Sequence, residues 1–405
     1  MRIAYIAYPT SLMLASANAI QTWTTLRELR QQAPNTLIII PRWLREPSRF
    51  KEVGATHLQR PAIGKLSRFK KSTLWYYAER SVFAAMSAAV VASQRWRGEA
   101  VDVVYVREVI AAGWWATLWG PLLNIPVIYE AHDLESWNPS RAKESWVQPV
   151  LNLLDRLTLG RSAAVASLTD DFRQLLARLG WRKPSDVAVI PDAFDDSLYQ
   201  PHDRQQARAQ LGLDPTAPLI VYAGMTFSYR GIDRLIAAFA SLRQAMPNAQ
   251  LLFIGGRPAE IAQFSQQANH LGLGESVRFL GALPQSATPA YLHAADVLVI
   301  PDTVTDVTAS PLKLFEYLAV ERAVVLPNIP ALREILPEQI GYYFERGSIQ
   351  GLEQALVDAL TDPLRPEREQ AGRQCVQEHT YRARAGRIKA LCQQISQTTS
   401  SSALD

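Results

Sequence analysis

Short apolar runs and longer amphipathic stretches alternate along the 405 residues, and the alternation occurs in two series. The runs of the first series are RIAYIAY, TLIIIP, VDVVYV, PVIYEA, AVASLT and VAVIPD. Between them lie helical patterns such as TLWYYAERSVFAAMSAAVVASQRW. Short, continuously apolar strands separated by helices indicate parallel sheets covered on both faces. The second series starts at PLIVYAG and continues through LLFIGG, VRFLGAL, DVLVIPD and AVVLPN, with helices at LIAAFASLRQAM, IAQFSQQANHLG, ATPAYLHAA and SPLKLFEYLA. A polar, Pro-containing stretch, DAFDDSLYQPHDRQQARAQLGLDPTAP, separates the two series. The pattern predicts an α/β chain of two doubly wound domains facing across a cleft, residues 1–195 and 196–375. One helix, 376–395, is expected to pack back on the first domain, with a disordered polar tail at 396–405. Ligands of such sheets bind beyond the carboxyl ends of the strands, hence in the cleft. No G-x-G-x-x-G follows the first strand, which argues against a dehydrogenase.

Composition alters this picture little. With 48% hydrophobic and 20% charged residues the chain reads as an ordinary globular protein, and two cysteines, Cys375 and Cys392, suit a reducing compartment. The opening MRIAYIAYPT reads as a strand rather than a secretory signal, so a cytoplasmic location is expected. Residues 109–128 carry no charge over about the length of a membrane span, but Gly120-Pro121 and Asn124 to Pro126 interrupt them. They read as a buried helix, a short loop and the next strand.

Charge changes more. Residues 1–190 hold 24 Lys and Arg against 15 Asp and Glu, whereas the remainder is net acidic. Residues 41–97 alone hold 12 basic and 3 acidic side chains, interleaved with Trp43, Phe50, Phe69, Trp75, Tyr76, Tyr77 and Trp96. Such a stretch suits either a solvated basic face or peripheral contact with the anionic inner face of a membrane. No nucleic-acid motif accompanies it, and no nucleic-acid partner is expected.

The candidate chemistry lies in the second series. In ASPLKLFEYLA, Ser310 suits an N-cap and Pro311 the first helical position. Leu312, Phe315, Glu316 and Ala319 then share a face, so Glu316 points into packed surroundings or a cleft. A carboxylate there needs a donor. Its partner is either a structural group or a ligand rich in hydroxyls. Three features converge on an anion: Gly224 and Arg230 in YAGMTFSYRG, the glycine pair and Arg257 in LFIGGRP, and the helix start with Lys313. Glycines permit close backbone approach, and a cation at a helix start suits phosphate.

Taken together with SANAIQTWTTLREL, VDVVYVRE, VIYEAHDLES, SLTDDFRQLL, VAVIPDAFD, LGLGESVRFLGALP and YLHAADVLVIP, these segments resemble the GT-B glycosyltransferases, specifically glycosyltransferase family 4, over most of the chain. The resemblance implies two Rossmann-like domains. It implies that Glu316 binds the ribose hydroxyls of a nucleotide sugar as the second glutamate of an E-x7-E motif. It assigns Arg230 and Lys313 to the diphosphate, Gly224 and the backbone of Ser310, Pro311 and Leu312 to the donor, and Gly255 with the Phe279 to Pro284 loop, including Leu283, to the base. His132 would lie near the transferred sugar and acceptor, although alone it reads equally as a structural histidine. Asn18, on the loop after the first strand, is a further acceptor-side candidate. The sequence departs from the family pattern at Thr308, where the first glutamate would stand, and at Met225, where an arginine often follows the phosphate-loop glycine.

The family implies a retaining sugar transfer in polysaccharide, glycolipid or cell-envelope glycan synthesis. The nucleotide sugar is a substrate, the acceptor is a glycan or lipid-linked hydroxyl, and no cofactor or metal is expected. Two alternatives stand beside this reading: another GT-B enzyme such as a nucleotide-sugar epimerase, and a non-catalytic nucleotide-sugar-binding scaffold.

Overall fold

The computed structural model describes residues 1–61, 73–137, 147–303 and 312–402. The chain divides into two compact units, Met1–Pro191 with Tyr381–Asp405, and Asp192–Thr380.

The first unit is built on a parallel sheet of seven strands: β1 (Ile3–Ile6), β2 (Leu37–Arg42), β3 (Thr56–Gln59), β4 (Val103–Val106), β5 (Val127–Ala131), β6 (Ala164–Ser167) and β7 (Val187–Val189). Their order is β3-β2-β1-β4-β5-β6-β7, with Tyr5 opposite Tyr105 and Tyr105 opposite Ile128 in the central register. The central strands are buried on both faces, which is why they read as unbroken apolar runs. Flanking helices are α1 (Ala17–Gln32), α2 (Thr73–Trp96), α3 (Val109–Trp114), α4 (Gly120–Leu123), α5 (Gln148–Arg161) and α6 (Asp170–Arg178). A π turn over Trp115–Trp119 joins α3 to α4, so the uncharged segment forms one interrupted helix before β5.

The second unit carries six parallel strands: β8 (Leu219–Ala223), β9 (Gln250–Ile254), β10 (Val277–Phe279), β11 (Val297–Val299), β12 (Ala323–Pro327) and β13 (Tyr342–Phe344), in the order β10-β9-β8-β11-β12-β13. Its helices are α7 (Arg204–Leu211), α8 (Ile232–Ala245), α9 (Pro258–His270), α10 (Thr288–Ala294), α11 (Leu312–Ala319), α12 (Pro330–Arg333), α13 (Ile349–Thr361) and α14 (Arg365–Val376). One core cluster lies on each face of this sheet, the first around Leu298, Phe315 and Leu326, the second around Ile236, Phe239 and Phe253.

Both sheets reverse direction at a central pair, β1 with β4 and β8 with β11, and the crevice at such a reversal is the ordinary ligand site of the fold. Three features depart from the sequence pattern. The edge strands β3 and β13 were not visible in it, since THLQ is polar and YYF is only three residues long. The terminal helical pattern splits into α14 and α15 (Tyr381–Ser402), because the carbonyl of His379 accepts from the Phe194 amide and Thr380 bridges to Phe194. Helix α15 then continues to Ser402, through most of the segment expected as a tail, and packs along α1 in the first unit. There the Gln32 side chain donates to the Arg382 carbonyl and Lys389 to the Gln32 carbonyl.

Candidate functional site

In the second unit the reversal point gathers most of the sequence candidates. Strand β8 ends at Gly224, whose amide donates to the Ile254 carbonyl at 2.7 Å. The Lys313 side chain lies directly across Gly224: a Cβ on that glycine would fall 2.2 Å from both Cε and Nζ of the lysine. Gly255 is required for a second reason. Its φ is +100°, and a Cβ there would sit 2.4 Å from the Gly224 carbonyl oxygen. Its amide donates to the Gly281 carbonyl at 2.6 Å, so the ends of β8, β9 and β10 are laced together. Phe253 and Phe279 stack at 4.5 Å beneath them, and Leu283 packs against the adjoining core.

Helix α11 is fixed to this floor by Tyr317, which is buried and whose hydroxyl accepts from the Ala223 amide at 2.8 Å. Leu314, Phe315 and Leu318 bury its inner face, while Lys313 and Glu316, three residues apart, stay half-buried. The two charges influence each other. Burial lowers the Lys313 ammonium, and the Arg230 guanidinium lowers it further. Burial raises the Glu316 carboxyl, partly offset by Lys313 and by a hydrogen bond from Tyr199, while Asp192 raises it again. Arg230 closes a single 3-10 turn, Ser228–Arg230, after which Gly231 caps α8.

A second group at the reversal point escaped the sequence reading. Asp302, just past β11, is paired with Arg234 and with Arg346, the latter at 2.7 Å, and Arg346 also donates to the Thr303 carbonyl. It anchors the end of β11 immediately before residues 304–311. Thr308, Ser310 and Pro311 lie outside the described residues; Leu312 is the first residue of α11. Arg257 differs from expectation: its guanidinium is held by Glu260 in a capping box at the start of α9, and Glu260 also accepts from Thr226. The cation serves the helix start rather than standing free.

The first unit builds its own site around His132, directly after β5. Glu130 is fully buried and paired with Arg107 at 3.0 Å and Arg384 at 2.6 Å, and it accepts from the Tyr105 hydroxyl. These cations hold its carboxyl well below the usual range against the opposing effect of burial. His132 Nε2 lies 2.8 Å from Glu130 and 3.1 Å from the Arg107 guanidinium. Nε2 can either donate to the carboxylate or accept from the guanidinium, and Nδ1 takes the complementary role. Nδ1 has no hydrogen-bond partner among the described residues and is the ring nitrogen left for a ligand. Burial and then Arg107 lower the imidazole below its ordinary value, so it is neutral at pH 7. Arg107 reaches on to Gln21 and to Thr22 at 2.6 Å, and Thr22 donates to the Asn18 carbonyl. Asn18 is in the first turn of α1 rather than on the preceding loop, and its side-chain oxygen accepts from the Thr10 amide at 3.2 Å. Its visible role is to fold that loop.

Sequence reasoning missed Arg107, Glu130 and Arg384. The available signal was Glu130 itself, an acid within the apolar strand VIYEA. The basic stretch is also less free than its composition suggests: Arg49 pairs with Glu52, Arg60 with Glu79 and Arg80 with Glu108, while residues 62–72 lie outside the described residues. Among the described residues no group of three His, Cys, Asp or Glu is placed to hold a metal ion, and no helix is long and apolar enough to cross a membrane.

Two parallel Rossmann-like sheets, each with its crevice at the strand reversal, define a GT-B glycosyltransferase chain. It resembles family 4: residues 203–375 match the model of glycosyl transferases group 1, and residues 27–193 match the glycosyl transferase 4-like domain. The D-inositol 3-phosphate glycosyltransferase of Segniliparus rotundus is 26% identical over 192 residues, covering 44% of this chain and 41% of that protein. The match thus spans well under half the length of this relative. Sucrose-phosphate synthase from Thermosynechococcus elongatus superposes with a TM-score of 0.76 at 20% identity, covering 97% of this chain and 98% of that one. Anabaena HepE in complex with UDP and glucose gives 0.71 at 17%, covering 99% and 100%. These likenesses establish the fold.

Proposed function

We propose that the protein is a retaining glycosyltransferase that moves a sugar from a nucleotide-sugar donor to a hydroxyl acceptor. The observation that carries the reading is the Lys313 ammonium lying across Gly224, with Glu316 one turn on and Arg230 beside it. Half-buried charges whose proton affinities are pulled toward neutrality are poised for a charged ligand. Lys313 and Arg230 face the diphosphate, and Glu316 accepts from the ribose hydroxyls. The complexes of Anabaena HepE with UDP and glucose support a nucleotide-sugar donor of this kind.

In the transfer, the bond from the anomeric carbon to the diphosphate breaks and a bond to the acceptor oxygen forms on the same face. The acceptor proton passes to the leaving phosphate oxygen. No protein nucleophile is needed. The work of the site is electrostatic stabilisation of the departing diphosphate and of the oxocarbenium-like carbon. Residues Ser310 to Leu312 cradle the donor, and Gly255 with Leu283 lines the base. Nδ1 of neutral His132 engages a hydroxyl of the sugar or acceptor, with Asn18 nearby on the acceptor side. No metal takes part. Polysaccharide, glycolipid or envelope-glycan assembly is the setting this reading favours. An epimerase and a non-catalytic scaffold are the competing readings.

The test is a thermal-shift screen against UDP, GDP and ADP sugars, with nucleotide release and product anomeric configuration followed for each hit. Stabilisation with release of nucleoside diphosphate and retained configuration is expected. Stabilisation without turnover would favour a scaffold, and a configurational change of the donor sugar without transfer would favour an epimerase.

A further inference from the structure

Arg230 and Arg234 lie one turn apart at the start of α8, yet their surroundings differ. Arg234 is paired with Oδ2 of Asp302, just past β11. The other oxygen, Oδ1, accepts from Arg346 Nε at 2.7 Å and from the Thr303 amide at 2.7 Å. Arg346 comes from the turn after β13 and also donates to the Thr303 carbonyl at 2.8 Å. One buried carboxylate therefore joins the start of α8 to the ends of β11 and β13. Both of its oxygens are engaged by protein donors, which gives Asp302 a holding role rather than a ligand contact. Arg230, by contrast, is half-buried and has no acidic partner among the described residues; its guanidinium lies 5.3 Å from the centre of the Tyr229 ring.

Gly231 connects the two arginines. It is buried at φ +68°, and a Cβ there would fall 2.8 Å from Nη2 of Arg234 and 3.3 Å from Cβ of Asp302. The backbone that carries Arg230 thus rests against the Asp302–Arg234 pair with no room for a methyl group between them. A cation that meets a diphosphate needs its backbone fixed, since a displacement of about 1 Å can cost roughly 100-fold in rate. A charged network with every member paired supplies that rigidity. We infer that Asp302 is a positioning residue for Arg230: together with Arg234 and Arg346 it fixes where the Ser228–Arg230 turn presents its guanidinium to the donor diphosphate. The inference rests on the assignment of Arg230 to that diphosphate.

The test is a double-mutant cycle on the full-length protein, with UDP, GDP and ADP titrated by calorimetry and the fold followed by circular dichroism. Asp302→Asn keeps the shape of the side chain and should weaken the preferred nucleoside diphosphate about tenfold. In an Arg230→Ala background the same change should cost less than about twofold, because the group it positions is gone, whereas in a Glu316→Ala background its full effect should remain. A general loss of stability would produce no such selective coupling. Arg346→Gln, at a more exposed position, should weaken binding about threefold with the same dependence on Arg230, and it carries the test if Asp302→Asn misfolds. Arg346→Lys, which keeps the charge, should recover part of that loss. Wild-type affinity in the folded variants, or losses that simply add to that of Arg230→Ala, would overturn the inference and leave the donor site standing. A wild-type protein that binds none of the three nucleotides would overturn the donor reading and this inference with it.

Discussion

The charged centres of the two units differ in how far the protein completes them. In the first, Glu130 is saturated by Arg107, Arg384 and the Tyr105 hydroxyl, all buried. In the second, Lys313 and Glu316 are half-buried, and each is held away from its ordinary proton affinity. A buried charge stripped of its partner is strongly destabilising, whereas a half-exposed pair can be left incomplete until a ligand arrives. The first centre belongs to the fold and orients a histidine. The second is the centre that the proposed function assigns to the donor.

Removing charge should therefore have opposite consequences in the two units. Arg107→Met, which leaves Glu130 with one cation fewer, is expected to lower the unfolding free energy by about 3–5 kcal/mol in urea titrations. Lys313→Met should change it by less than about 1 kcal/mol. Equal losses would break the comparison. Glu316→Ala and Arg230→Ala are each expected to weaken nucleotide-sugar binding about 10- to 100-fold in calorimetry, with the melting temperature of the free protein nearly unchanged. Unaltered affinity in both would sink the donor-site assignment. Gly224→Ala sharpens the point, because the new methyl group takes the place of the Lys313 ammonium. A flexible lysine can move away, but the φ of +154° at Gly224 is one that L residues rarely adopt, so the expected result is a folded protein of lower stability with about tenfold weaker donor binding.

The smallest effect concerns pH. His293 is buried on α10, its Nε2 lies 2.7 Å from the Gln200 carbonyl, and burial lowers its pKa to about 4. The unfolded chain, with a value near 6.5, binds the proton more readily between these limits. Its contribution is thus complete above pH 6.5 and is lost as pH falls toward 4. His293→Gln should flatten that part of the stability-versus-pH curve, and an unchanged slope would remove His293 as its source.

What could be read from the sequence followed from short-range pattern. The apolar strands, the glycines that end β8 and β9, and the helix of Glu316 are each specified by residues within a few positions of one another. Pairing across the chain could not be read in this way. Glu130 and Arg384 are 254 positions apart, and nothing local to Arg384 distinguishes it from the other arginines of YRARAGR. The break between α14 and α15 has the same origin, since Phe194 imposes it from a distant loop. Asn18 was displaced by one short element: Ser16 caps α1, turning a position expected on the loop after the first strand into a helical one. The pairing of Arg257 with Glu260 is local, an i, i+3 contact, and was legible as a helix start had the helix been considered before the phosphate.

The position of Arg384 has a bearing on biosynthesis. A ribosome makes residues 1–191 first, yet the cation that completes their buried carboxylate arrives only with α15. Through translation of the whole second unit, the nascent first unit holds Glu130 with Arg107 as its one guanidinium partner among the described residues and α1 without its covering helix. A helix made after the whole second unit thus closes the unit translated before it, and a chain stopped before Tyr381 is left with that unit unfinished.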